Sequence, residues 1–217
     1  MTIRLLLVDD HELMRQGLRA LVDGENGIEV VGEAGDGRTA LALARSLSPD
    51  IVVMDVAMKD MNGIEATRQI RAECPGAKVV ALSSHADPRY VSAMLEAGAC
   101  GYVLKANAYD NLQRAIEAAV QGKSYLCPEV TQGVIGGSTR GSGSTAEYST
   151  TSLSPREREV LQLLAEGQSS PEIGKRLFVA TTTVETHRRN IMRKLGIHSV
   201  ADLTKYAIRE GLTSVDT

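Results

Sequence analysis

Three carboxylates, a serine and a lysine stand where short apolar runs of this chain end. Asp9 and Asp10 follow Ile3–Val8, Asp55 follows Ile51–Met54, Ser83 follows Lys78–Leu82, and Lys105 follows Gly101–Leu104. Carboxylates brought together repel one another. A hard divalent cation relieves that repulsion, and Mg²⁺ prefers a few carboxylate, carbonyl and water oxygens. A phosphoryl group would supply the remaining oxygens, and a lysine could pair with one of them. The chemistry open to such a set is attack by a carboxylate on phosphorus, with the metal neutralising developing charge. Catalysis of that kind is mostly positioning and electrostatics. A single Asp at a strand end is more often a turn former or a helix cap. The weight therefore rests on the combination.

Those positions need a scaffold that gathers strand ends. The apolar runs, with Ile28–Val31 added, are continuous rather than alternating, as in strands buried on both faces of a parallel sheet. Helical patterns lie between them near His11–Val22, Thr39–Ser46, Gly63–Ala72, Pro88–Glu96 and Tyr109–Gln121. Five β-then-α units in a row predict an α/β fold, a doubly wound five-stranded parallel sheet. Ligands of such sheets bind beyond the C-terminal strand ends, where the carboxylates stand.

The stretch 136–152, GGSTRGSGSTAEYSTTS, has no hydrophobic periodicity and predicts a flexible linker. Its glycines lack the lysine of a phosphate-binding GxxxxGK[ST] loop, and Gly32, Gly35 and Gly37 miss the GxGxxG spacing. After the linker the pattern is wholly helical. Ser154 before Pro155, with Glu157 three residues after the serine, predicts a capped helix start. Further helices are expected over Ser170–Leu177, Thr181–Leu195 and Ser199–Glu210, with Gly196 and Gly211 as stops. The expected organisation is a domain over 1–127, a linker over 128–151 and a four-helix domain over 152–217.

On a helical wheel of Thr181–Leu195, Val184, Ile191 and Leu195 share one face, while Thr182, Thr186, Arg189 and Arg193 cluster opposite. An apolar back with an Arg/Thr front suits a helix that enters a DNA major groove as the second helix of a helix-turn-helix. Charge is divided accordingly. Residues 1–139 carry 13 Lys+Arg against 18 Asp+Glu, a balance of −5, and 152–217 carry 10 against 8, a balance of +2. An acidic part joined to a basic part implies two different jobs. Aromatic residues make up 3% of the chain and Trp is absent, which argues against a carbohydrate or base-stacking surface. Cys74, Cys100 and Cys127 are widely spaced with no CxxC, so reduced thiols are expected rather than a disulfide framework or zinc site. The apolar run near the N-terminus is too short for a signal peptide or membrane span, and a cytoplasmic protein without membrane contact is expected.

The motifs LLLVDDHELMRQGL, DIVVMDVAMKDMNGIEA, VVALSSH and EAGACGYVLKA resemble the receiver domain of bacterial response regulators over about the first 120 residues. LSPREREVLQLLAEGQSSPEIGKRLFVATTTVETHRRNIMRKLGI resembles the LuxR-type helix-turn-helix. Together they resemble the NarL/FixJ family of two-component transcriptional regulators. The resemblance implies Asp55 as phosphoacceptor, Asp10 helped by Asp9 as Mg²⁺ ligands, and the Ala57 carbonyl as a further ligand. It implies Ser83 as the hydroxyl that turns toward the phosphoryl group, Lys105 as its counter-charge and Tyr102 as the aromatic that follows the hydroxyl. A half-buried strand tyrosine is the plainer reading of Tyr102. In the second domain it implies Glu185, Thr186 and Arg189 at bases, with Thr182, Thr183, Arg188 and Arg193 near phosphates. Arg189 would favour a guanine edge, and Glu185 would accept from a cytosine amino group. Lys59 stands where the family usually has Pro after the Met58 position, which removes a rigid φ beside Asp55. Ser170 and Pro171 depart from the more usual polar-basic pair.

The expected function is a phosphorylation-switched DNA-binding regulator. It would be a phosphoacceptor catalysing only its own phosphorylation and dephosphorylation. Its partners would be a sensor histidine kinase, double-stranded promoter DNA and a second copy of itself on that DNA. A regulator that binds DNA regardless of Asp55, its receiver used for protein contacts, is the alternative, with a phosphorelay intermediate as a third class. His187 and His198 are expected to pack or cap, His11 to begin the first helix, and His85 to play a loop role rather than to border the pocket.

Overall fold

The computed structural model describes residues 2–23, 27–131 and 153–213. Its contacts divide the chain into two compact units, Met1–Ser142 and Gly143–Thr217.

In the first unit the apolar runs are strands: β1 (Ile3–Val8), β2 (Ile28–Ala34), β3 (Ile51–Asp55), β4 (Lys78–Ser83) and β5 (Gly101–Leu104). All pair in parallel, in the order β2-β1-β3-β4-β5, and a sixth strand, β6 (Tyr125–Leu126), adds beside β5. The side chains alternate between two faces. Leu6, Val8, Val52, Met54, Val79 and Ala81 join one apolar cluster, and Leu5, Leu7, Ile51, Val53, Val80 and Leu82 join the other. Helices α2 (Gly37–Leu47), α3 (Gly63–Glu73) and α4 (Pro88–Glu96) supply buried residues to the first face. Helices α1 (Glu12–Asp23) and α5 (Ala108–Val120) supply them to the second. Each Leu or Ile fully buried this way contributes about 1.5–3 kcal/mol. Burial on both faces explains why the strands carry unbroken apolar runs.

Helix starts follow local chemistry. Asp36 accepts from the Arg38 and Thr39 N–H groups, Asn62 from Glu65 N–H, and Asp87 from Arg89 N–H ahead of Pro88. The α/β class is as expected, but the sheet has six strands rather than five. The sixth is two residues long and carries no periodicity. Its backbone is claimed instead by β5: Tyr125 N–H donates to the Cys100 carbonyl and Cys127 N–H to that of Tyr102. Residues 128–131, expected to open the linker, are helical. Cys127 and Val130 are fully buried in the sheet's core. The remainder of the expected linker, from 132, lies outside the described residues.

The second unit contains α6 (Pro155–Ala165), α7 (Ser170–Arg176), α8 (Thr181–Leu195) and α9 (Val200–Arg209). Ser154 and Glu157 form the expected reciprocal capping box, and α8 ends at Gly196, whose φ of 64° suits a residue without a β-carbon. Val160, Leu161, Leu163, Ile173, Val184, Ile191, Leu203 and Ala207 meet in one core. That core fixes which face of α8 is left outside. No described helix is long and apolar enough to cross a membrane.

Candidate functional site

The strand ends meet as the fold requires. Asp9, just past β1, and Asp55, the last residue of β3, are buried at 0% and 1% exposure. Lys105 opens a 3₁₀ turn (Lys105–Asn107) after β5. Its Nζ lies 2.7 Å from Asp9 Oδ2 and 2.8 Å from Asp55 Oδ2, one cation shared by two carboxylates. The other Asp55 oxygen, Oδ1, accepts from Ala57 N–H at 3.3 Å. Asp10 is only partly buried, and its Oδ1 lies 2.7 Å from Nδ1 of His11. Ligand atoms of Asp9, Asp10, His11 and Asp55 all fall within 4.8 Å of one another, close enough to hold one metal ion. Asp9 Oδ2 and Asp10 Oδ1 are buried yet lack a hydrogen bond of good geometry, despite Lys105 and His11 beside them. Buried carboxylate oxygens left with bare ion-pair contacts fit a hard oxygen-seeking cation. The carboxylates expected as Mg²⁺ ligands are thus gathered in one place.

Burial, opposed by Lys105 and helped by the Asp9 charge, leaves the Asp55 carboxyl pushed up to about 6. Burial works against the Lys105 ammonium too, but Asp55 and Asp9 outweigh it and hold its pKa above the ordinary lysine value. The two shifts agree physically: a single ammonium between two carboxylates is well satisfied, while each carboxylate has half a partner.

The expected switch residues are tied to one backbone. Ser83, fully buried at the end of β4, accepts from His85 N–H at 3.0 Å. Tyr102, fully buried rather than half-buried on β5, donates its hydroxyl to the His85 carbonyl at 2.8 Å. Burial raises the Tyr102 pKa, opposed by hydrogen bonding with Ser83. The His85 ring stacks on Tyr90 of α4, with centroids 5.3 Å apart and planes 20° from parallel. His85 is in a loop, as expected, but it joins Ser83, Tyr102 and α4. Lys59 is exposed. Met61 N–H donates to its carbonyl across Asp60, whose φ is 71°, the pattern of a strained three-residue γ-turn.

Two contributors to the acidic site were not legible in the sequence. Arg15 of α1 donates from Nη1 to the Asp9 carbonyl at 2.6 Å, and its Nε lies 3.7 Å from Glu33 of β2. His11 precedes α1 and accepts the Arg15 N–H on its carbonyl, so it caps the helix while its ring faces Asp10. A lone Arg or His inside a helical pattern carries no signal of such a role.

On α8, Val184 and Ile191 are fully buried and Leu195 partly so. Thr182, Thr183, Thr186, Arg189 and Arg193 are exposed, with Glu185 and Arg188 intermediate. The Thr186 hydroxyl donates to the Thr182 carbonyl at 2.9 Å, and Arg193 donates to Asn190 at 3.0 Å. Glu185 is not simply presented outward. Its Oε1 accepts from the hydroxyl of Ser170 on α7, with Arg188 Nη1 4.0 Å away. His187 is partly buried and His198 exposed.

Residues 5–117 match the family model described as the response regulator receiver domain, and residues 151–207 that of bacterial regulatory proteins of the luxR family. The transcriptional regulatory protein LiaR of Bacillus subtilis is 42% identical over 212 residues, 98% of this chain and 100% of that protein. The response regulator protein VraR of Staphylococcus aureus is 36% identical, covering 98% and 99%. A solved structure of RcsB from Salmonella enterica serovar Typhimurium, bound to a promoter in the presence of phosphomimetic BeF₃⁻, is 27% identical. It superposes with a TM-score of 0.61 over 96% of this chain and 99% of that one. The chain therefore belongs to the two-component response regulators with a receiver domain and a LuxR-type DNA-binding domain.

Proposed function

We propose that Asp55 accepts a phosphoryl group from a sensor histidine kinase and that this switches promoter binding by α8. The observation that carries the reading is the Lys105 ammonium held between the buried carboxylates of Asp9 and Asp55 at 2.7 and 2.8 Å. An Asp55 oxygen attacks phosphorus, the bond from phosphorus to the kinase imidazole nitrogen breaks, and that nitrogen keeps the electron pair. Asp9, Asp10, Asp55 and the Ala57 carbonyl would hold Mg²⁺, which supplies charge neutralisation at the phosphoryl oxygens. Lys105 is positioned to leave one carboxylate and pair with a new phosphoryl oxygen without changing its own charge.

Ser83 and Tyr102 then report the event. In the resting arrangement His85 donates to Ser83 and accepts from Tyr102. A phosphoryl oxygen competes for the Ser83 hydroxyl, and the loop carrying His85 must follow. Differential contacts of that kind are what allow a modification to shift a conformational equilibrium. The modification either releases the helix-turn-helix or pairs two copies on DNA. The exposed Thr182, Thr183, Thr186, Arg189 and Arg193, with Glu185 and Arg188 beside them, form the groove-facing surface. A homodimer follows because helix-turn-helix half-sites come in pairs. RcsB, a relative by fold and sequence, has been solved bound to DNA as dimers, which supports this part of the reading.

The test is a DNA-binding titration with and without acetyl phosphate and Mg²⁺, comparing the native chain with Asp55→Asn. A gain in affinity on acetyl phosphate that is absent in the variant is expected. Equal binding in all four conditions would favour a regulator indifferent to Asp55.

A further inference from the structure

Glu185 is the single acid among the α8 residues read above as facing DNA, and the fold restrains it from a different helix. Ser170, 7% exposed at the start of α7, donates its hydroxyl to Oε1 of Glu185. Arg188, one turn further along α8, approaches the same oxygen at 4.0 Å. Both contacts fall on Oε1, and among the described residues none falls on Oε2. Ser170, Glu185 and Arg188 line an open pocket of about 350 Å³ with Ser169 and Pro171. The side chain is held at one oxygen and is 46% exposed, which leaves the carboxylate open to approach from solvent.

We infer that Ser170 is a specificity-determining positioning residue: it fixes Glu185 so that Oε2 meets base edges as an acceptor-only probe. This rests on the DNA-binding reading above and goes beyond it. A carboxylate cannot donate. In the major groove it therefore matches bases that present an amino group, cytosine N4 or adenine N6. It is repelled by guanine O6 and thymine O4. A carboxylate on a flexible stem could swing away from an acceptor edge at little cost. One whose rotamer is already set by a buried partner cannot, so rejection sharpens. The discrimination comes as much from the disallowed bases as from the matched one. The neighbouring exposed Arg189 and Arg193 supply the positive charge that offsets an acid near phosphates.

The Arg188 cation gives the inference a second handle. In Glu185→Gln the amide oxygen must stay on the side of Ser170 and Arg188, because an arginine only donates. The amide nitrogen then replaces Oε2, and an acceptor becomes a donor at the same place. The preferred bases should change class.

The experiment selects duplexes from a randomised pool with the full chain treated with acetyl phosphate, and sequences the bound fraction. The native chain is expected to favour cytosine or adenine at one position of each half-site. Ser170→Ala is expected to flatten that position by about tenfold, leaving the other positions and the salt dependence of binding unchanged. Glu185→Gln, which keeps Ser170 and its bond, is expected to move the preference to guanine or thymine. A merely structural brace between α7 and α8 would instead weaken binding evenly across all sequences. A native profile that survives both substitutions overturns the inference and leaves DNA binding standing. A native chain that selects no sequence at all overturns the DNA reading and the inference with it.

Discussion

A β-carbon on Gly63 would lie 1.9 Å from the carbonyl oxygen of Asp55. The first turn of α3 thus rests directly on the backbone of the candidate phosphoacceptor, and Gly63 N–H donates to the Val56 carbonyl at 3.0 Å. Gly63→Ala must push the two segments apart. A loss on the order of 3 kcal/mol is expected from such overpacking, read by urea unfolding, along with loss of phosphate incorporation from acetyl phosphate. Gly17, exposed on α1 with nothing within 4 Å of its β-position, is the control. Gly17→Ala is expected to gain up to about 1 kcal/mol from helix propensity.

The pKa of Asp55, pushed up to about 6, has consequences for both rate and stability. Attack needs the carboxylate, so incorporation of phosphate should fall about tenfold per pH unit once well below its midpoint, which bound Mg²⁺ would draw below that of the metal-free chain. Without Mg²⁺ the ionised carboxyl is disfavoured in the fold. An acid whose folded pKa is raised favours folding below its unfolded pKa, and that contribution is lost as pH rises through 6. In EDTA, Asp55→Asn is therefore expected to stabilise the chain at pH 7.5 by on the order of 1–3 kcal/mol. The gain should vanish below about pH 4. Thermal unfolding at the two pH values checks it; an equal gain at both would sink the electrostatic account.

Lys59 is exposed beside the γ-turn at Asp60. Solvent and salt screen such a charge, so Lys59→Ala is expected to change the half-life of the phosphorylated chain by less than about tenfold. Incorporation itself should persist. Lys105→Ala, by contrast, removes the ammonium shared by Asp9 and Asp55 and should abolish the acetyl-phosphate response of DNA binding. A Lys59 variant as impaired as the Lys105 variant would mean that the loop, not the strand-end ammonium, governs the site.

Glu157 joins the start of α6 to the last turn of α8. It is 4% exposed, accepts from the Ser154 backbone N–H at 2.7 Å, and receives Lys194 Nζ at 2.6 Å. Burial works to raise its pKa, but Lys194 and Ser154 more than offset that and hold it below the ordinary glutamate value. A depressed folded pKa gives stability that is present above the unfolded value and lost as pH falls through the folded one. Lys194→Met is expected to cost on the order of 1 kcal/mol at pH 7, the lysine being about a third exposed. The difference should hold down to the ordinary glutamate pKa of 4.5 and narrow below it as the glutamate protonates, which amide exchange in α6 between about pH 7 and about pH 3 would register.

What was legible in the sequence was whatever repeats locally. Ile3–Val8 and Gly101–Leu104 read as strands because burial on both faces demands unbroken apolar runs, and their bounds match the structure. Asp9, Asp55 and Lys105 could be gathered on paper because a parallel sheet puts all its C-terminal strand ends on one side. The Ser154–Glu157 cap was readable for the same reason: both partners sit within four residues. What escaped were contacts between distant positions. Nothing near Arg15 announces the Asp9 carbonyl, nothing near His85 announces Tyr102, and Ser170 lies fifteen residues from the glutamate it holds. Side chains that act by restraining others leave no spacing to read.

The two-residue strand β6 bears on how the protein behaves in a crowded solution. An exposed parallel edge offers a row of unpaired amides and carbonyls on which a foreign strand can grow. Tyr125 and Leu126 pair with Gly101 and Tyr102 on that edge of β5, and Cys127 and Val130 then close into the core behind them. A receiver shortened to end at α5 would bare β5 and be prone to self-association, even with every residue of its acidic pocket intact. Aggregation, rather than loss of chemistry, should be the first symptom of trimming the chain there.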